Sequence, residues 1–144
     1  MNIGQAAFES GLATKTVRYY EEIGLVIPAR YSGNDYRNYS ATNVDHLRFL
    51  QRARAVGFGL EVCRELLALY CDPQRRSIEV KALVLDKIQQ IETQLHTLIA
   101  LKSTLVGMAN KCAGDESADC SIVETFAAPM KSIMPFMLVE PNHE

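Results

Sequence analysis

The chain has 144 residues, 48% of them hydrophobic, and a net charge of −2. That length holds one ordinary domain, or a small domain plus a long helix, and the apolar share is enough for a core. It excludes a largely disordered chain, and the lack of any apolar run long enough to cross a bilayer argues against a membrane-spanning role. The first ten residues lack the basic start and apolar stretch of a signal peptide, so a cytoplasmic location is expected, where thiols stay reduced. Charge is unevenly spread. Residues 1–60 carry seven Lys/Arg against five Asp/Glu, and residues 77–144 carry five against nine. A mildly basic front suits a meeting with an anion, although ordinary surface variation gives the same pattern.

In chain order, Asn2 is expected to cap a helix through Phe8, and Gly11 supplies the freedom for a tight turn. Thr14 is expected to cap the segment KTVRYYEEIG, which Gly24 ends. Two short helices joined by such a turn read as a helix-turn-helix. Lys15, Arg18 and Tyr19 recur at i, i+3 and i+4, so they share one face of the second helix, where major-groove contacts are made. The segment IPARYSGNDYRNYS follows, its turn formers flanked by Arg30, Tyr31, Tyr36, Arg37 and Tyr39. It reads as a small hairpin wing suited to phosphate contacts. Ser40 is expected to cap a helix from about Asn43 to Val56, with Arg54 near its end as a further phosphate contact. Leu60–Tyr70 forms the next helix, and Asp72-Pro73 closes it.

From Ser77 to about Asn110 a long helix is predicted. Its apolar residues Val84, Ile88, Ile91, Leu95, Leu98 and Leu105 alternate in steps of four and three, with Lys102 in the remaining slot. That heptad seam cannot be buried by one short domain, so a partner helix from a second subunit is the expected cover.

Four cysteines remain to be placed. Cys63 and Cys71 share one helix about 12 Å apart along its axis, so they cannot hold one ion. Cys63 reads as a small buried hydrophobe. Cys112 and Cys120 bracket AGDESAD, which can fold back and bring the sulfurs together. No His is near, and zinc wants four ligands, so two sulfurs suit a soft monovalent ion of low coordination number. A buried thiolate pair needs a compensating charge or N–H donors. The segment from Ser77 to Lys81, a helix start carrying a lysine, offers both. A redox switch between the two thiols stays open, as does a thiol-based metal buffer that binds no DNA. Met130, Met134 and Met137 read better as packing residues than as thioether ligands, and Asp115, Glu116 and Asp119 as a solvated acidic loop. No nucleophile–base constellation is visible, which argues against an enzyme.

The stretch NIGQAAFESGLATKTVRYYEEIGLV, followed by YRNYS and the long helix, resembles the MerR family of transcription regulators over about residues 1–120. DPQRRSIEVK and CAGDESADC are similar to its copper-efflux regulators. The resemblance implies a mainly α chain: a winged helix-turn-helix DNA-binding domain (1–76), a long antiparallel coiled-coil dimerisation helix (77–110), then a metal-binding loop and tail (111–144). It implies Cys112 and Cys120 as ligands of Cu(I), Ag(I) or Au(I). Ser77 stands where relatives that sense divalent ions carry a third Cys from the partner subunit, and Lys81 is a neighbouring positive charge. Lys15, Arg18, Tyr20, Tyr36 and Arg37 match DNA-contacting positions. A homodimer on double-stranded promoter DNA, activating efflux genes by distorting that DNA for RNA polymerase, is implied as well. Ala113 and Ser121 depart from the pattern, since close relatives have Pro there. Cys71 is no part of the sensing pair, and the tail after Phe126 shows no family pattern.

Overall fold

A computed structural model describes residues 1–30, 33 and 36–129. The Met130, Met134 and Met137 group and His143 lie outside the described residues. The chain divides into two compact units, Met1–Lys87 and Ile88–Glu144.

In the first unit, α1 (Ile3–Ser10) opens with a capping box: Gln5 N donates to Asn2 Oδ1 at 2.8 Å, and Asn2 N to Gln5 Oε1 at 3.0 Å. The helix runs two residues past the expected end and stops at Gly11, whose φ of 76° is left-handed and open to glycine without strain. The expectation that Thr14 caps α2 (Thr14–Glu22) is corrected. Thr14 is the first helical residue, and Ala13 holds the cap position without a side-chain bond. Strands β1 (Ala29–Arg30) and β2 (Arg37–Asn38) pair antiparallel, with Ala29 opposite Asn38 and Arg30 opposite Arg37. This is the predicted wing.

Helix α3 (Ala41–Ala55) starts two residues earlier than expected, at a second capping box between Ser40 and Asn43. Helix α4 (Leu60–Cys71) ends at Asp72, whose Oδ1 accepts from Gln74 N at 2.8 Å and turns the chain. The core draws on helices α1 to α4 and on the segments that join them. Val17 and Tyr20 come from α2, Tyr39 follows β2, Val44, Leu47 and Leu50 line one face of α3, and Cys63, Leu66 and Leu67 line α4. Each buried Leu or Val contributes about 1.5–3 kcal/mol by leaving water. Cys63 is a core residue, as its sequence setting implies.

Helix α5 (Ser77–Lys111) is 35 residues long, about 50 Å at the usual rise. Val80 and Leu83, in its first turns, pack against the N-terminal core. These contacts lie within the first unit, which runs to Lys87. In the second unit, α5 continues to Lys111 and a loop leads into α6 (Ser121–Ala127). The predicted seam is uncovered in one chain: Ile88, Ile91, Leu95, Leu98 and Leu105 are 40% to 62% exposed. Ile99 and Val106 widen the apolar stripe. No helix among the described residues is long and apolar enough to cross a membrane.

Leu47 is fully buried, whereas the buried Tyr39 hydroxyl has no hydrogen-bond partner among the described residues. Leu47→Ala is therefore expected to lower stability by about 2–4 kcal/mol in chemical denaturation. Tyr39→Phe, which removes an unpaired polar atom, is expected to change it by less than about 0.5 kcal/mol in either direction.

Candidate nucleic-acid interface and metal site

Helix α2 presents Lys15, Arg18 and Tyr19 to solvent, as their i, i+3, i+4 spacing requires. Tyr36 stands just before β2 and is 74% exposed. These four side chains lie on the surface. The other three predicted contacts are placed differently. Tyr20 is 3% exposed and part of the core, and burial raises its pKa. Its side chain offers no open surface. Arg54 donates from Nη1 to Phe58 O at 3.0 Å, which ties the last turn of α3 to the segment that leads into α4. Arg37 is half-buried, with its Nε donating to Glu21 Oε2. That hydrogen bond is the main reason its pKa lies above the usual arginine value.

Glu21 itself is a residue the sequence reading missed. It accepts from Arg37 on β2 and from Arg30 Nη2 on β1, the latter at 2.8 Å. The only sequence sign was an acidic pair inside an otherwise basic and aromatic helix.

In the second unit, Cys112 follows the last residue of α5 and Cys120 is the N-cap residue of α6. The loop between them folds back by local means. Gly114 takes a φ of 66°. Ser117 N donates to Asp115 Oδ1 at 2.8 Å, and Asp119 N to Ser117 Oγ at 3.1 Å. These are the side-chain-to-backbone turns that Asp and Ser favour. Asp115 is thus a turn former. The two sulfurs end 3.5 Å apart, both half-buried and both free thiols. The separation is well beyond the roughly 2.05 Å of a disulfide.

Helix α6 was not predicted. It packs beside the last turns of α5 across a cleft of about 210 Å³ lined by Ser103, Met108, Lys111, Ser121 and Ile122. Ser121 with Glu124 three residues on, between apolar Ile122, Val123 and Phe126, was the available signal. The helix matters to the thiols. The backbone N–H of Val123 favours the Cys120 thiolate, as do the Cys112 thiol and the N–H of Ile122, so the Cys120 pKa lies below its ordinary value. Among the described residues no group of three or more His, Cys, Asp or Glu could hold a metal. Thus the loop offers two sulfur donors.

Ser77 opens α5, and Lys81, one turn on, is exposed. Both line an open cleft with Pro73, Arg75 and Val80. Cys71 lies elsewhere, its Sγ 3.6 Å from His46 Nε2.

Comparison with known proteins gives these features a context. Residues 1–69 match the MerR HTH family regulatory protein, and residues 44–108 match the MerR DNA-binding region. The transcriptional regulator HmrR of Rhizobium leguminosarum bv. viciae is 48% identical over 124 residues, which cover 86% of this chain and 95% of that protein. The transcriptional regulator CueR of Salmonella typhi is 43% identical over 127 residues, covering 88% and 92%. Among solved structures, the regulator PbrR691 of Ralstonia metallidurans CH34 in complex with lead(II) superposes with a TM-score of 0.79 at 32% identity. The match covers 88% of this chain and 98% of that one. MerR of Bacillus megaterium MB1 in complex with mercury(II) gives 0.67 at 27%, covering 89% and 100%. The chain belongs to the MerR family of transcription regulators, which bind DNA and are not enzymes.

Proposed function

We propose that the chain is a homodimeric transcriptional activator of metal-efflux genes that responds to Cu(I), and also to Ag(I) and Au(I), through Cys112 and Cys120. The observation that carries this reading is the sulfur pair at 3.5 Å with no third metal-binding side chain beside it among the described residues. Two soft donors complete the coordination of a monovalent d¹⁰ ion, whereas zinc is left two ligands short. The kinship with CueR supports the ion, and Ser77 in place of a third cysteine supports its single charge. Lead(II) and mercury(II) in the solved relatives show that metal choice varies across the family.

Cys112 and Cys120 would hold the ion between them, and because they sit at the end of α5 and the start of α6, any change in their separation on binding would act on both helices. A ligand shifts a two-state protein only by its differential affinity for the two states, and such a change would supply that difference. In the proposed mechanism Lys15, Arg18, Tyr19, Tyr36 and Arg37 hold double-stranded promoter DNA with and without metal. The metal-bound dimer deforms that DNA so that RNA polymerase can use it. The dimer forms through the apolar stripe of α5, in antiparallel pairing. Ser77 and Lys81 of one subunit then lie by the partner's thiols, and Lys81 offsets their charge.

A second reading, a thiol switch, draws on the same distance, since sulfurs at 3.5 Å need only a short approach to form a disulfide. Induction by an oxidant in copper-depleted cells, with none by copper in oxidant-free cells, would establish it in place of the first.

Replacement of either Cys112 or Cys120 by Ser is expected to abolish copper induction of a reporter while DNA affinity changes by less than about threefold. Intact induction in both variants ends the proposal. X-ray absorption of the copper-loaded dimer is expected to show two sulfur neighbours. Proton competition gives a further check. The lowered Cys120 pKa means that this thiol competes with protons less than an ordinary thiol does, so copper affinity is expected to fall less steeply with falling pH than in an unfolded peptide carrying the same two cysteines. A chromophoric Cu(I) chelator measures this, and an equally steep fall in both refutes it. The pair Ile91→Lys and Leu95→Lys together is expected to give monomers in analytical ultracentrifugation and to lose promoter binding.

A further inference from the structure

The wing brings two arginines face to face. Arg30 on β1 and Arg37 on β2 are direct cross-strand partners. Like charges so placed repel and would splay a hairpin only two residue pairs long. A shared carboxylate offsets that repulsion. Glu21, in the last turn of α2, takes Arg30 Nη2 on one oxygen at 2.8 Å and Arg37 Nε on the other. Its side chain is 14% exposed, against 46% for Arg30 and 33% for Arg37, so the acidic centre is the driest part of the triad. An ion pair in such a setting is screened less than an open surface pair. The buried Tyr39 lies in the field of the same groups, Glu21, Arg37 and Arg30, together with Arg18 from the exposed face of α2. Recognition helix and wing therefore share one electrostatic cluster.

Arg37 spends its Nε on this bond. A guanidinium carries five N–H donors in a fixed plane, so fixing Nε fixes the direction of both terminal nitrogens, which stay available to a phosphate. Elsewhere in the unit arginines are tied to structure: Arg54 to a helix end, Arg64 Nη2 to Ile23 O at 2.9 Å, and Arg48 Nε to Glu9 O at 3.0 Å.

We infer that Glu21 is a positioning residue for DNA binding: it ties both wing strands to α2 and orients Arg37 toward a backbone phosphate. The inference rests on the proposal that the wing contacts DNA. It makes a prediction of unusual sign. A carboxylate near DNA repels phosphate, so simple charge counting says that its removal tightens binding. Positioning says that binding weakens.

The test uses the full-length dimer and a double-stranded DNA fragment that it selects from a random-sequence pool, with affinity read by fluorescence anisotropy across a salt series. Glu21→Gln is expected to weaken binding about three- to tenfold and to lower the slope of log K against log salt by about 1, the signature of one lost phosphate contact. Partial unfolding would reduce active protein without changing that slope, so the slope separates positioning from a fold defect. In a background carrying both Arg30→Gln and Arg37→Gln, Glu21→Gln is expected to have no added effect beyond about twofold. Tighter or unchanged binding by Glu21→Gln, or an equal loss in that background, overturns the inference while leaving the wing contact intact. Arg37→Gln binding as tightly as the unaltered protein overturns the wing contact itself, and the inference with it.

Discussion

Two sulfurs 3.5 Å apart repel one another once both have lost their protons, so the loop that holds them has to supply the balance. It does so with backbone. The open end of α6 aims N–H groups at Cys120, and side-chain turns at Asp115 and Ser117 together with Gly114 fix the path between the cysteines. A single positive ion between two thiolates leaves one negative charge over. That residual charge is small enough for a few N–H dipoles and one ammonium group to carry. A divalent ion leaves none, but it asks for donors beyond the two sulfurs. On the proposed reading, selectivity in this loop would follow from how few ligands are offered and how little charge remains to be compensated.

Much of the architecture could be read from local chemistry. The boxes at Asn2 and Ser40 start α1 and α3 because Asn and Ser carry a side-chain acceptor and, three residues on, Gln5 and Asn43 answer it. The α5 stripe is legible because a seam of threes and fours has few other uses. The misses share a physical cause. At Thr14 a hydroxyl suited to capping sits one residue inside the helix, and Ala13 takes the cap because the turn after Gly11 sets the register. Tyr20 adjoins the exposed Tyr19 in sequence yet faces the core, since consecutive helical residues point about 100° apart. Family position grouped the two, and helix geometry parted them. Glu21 bonds residues 9 and 16 positions away, a pairing that no periodicity encodes. Helix α6 has seven residues, too short for a periodic signal to stand out.

The sequence also separated two kinds of cysteine by their surroundings and not by their spacing, which is eight residues in both pairs. Cys63 has apolar neighbours on a helix face, and the fold buries it completely, where burial raises its pKa. Cys120 sits where a loop meets a helix start, and its pKa is lowered. A thiol in the core is kept protonated and inert. A thiol among N–H donors gives up its proton more readily. The same element serves packing in one place and chemistry in the other.

The direction in which two α5 helices pair then bears on metal valence. Each α5 starts at Ser77 and ends beside Cys112. Parallel pairing would bring the two loops, and so four thiols, to the same end of the coil. Four sulfurs are the donor set of a tetrahedral zinc site, and such a dimer would have reason to take a divalent ion. Antiparallel pairing keeps the loops apart and gives each thiol pair the other subunit's helix start, with Ser77 and Lys81 in it. That neighbour adds positive charge and a hydroxyl but no thiolate. On the proposed antiparallel pairing, the coil that would cover the exposed stripe of α5 thus also bears on how many sulfurs can meet: with Ser77 and not a thiol at the partner's helix start, the donor count would stay at two.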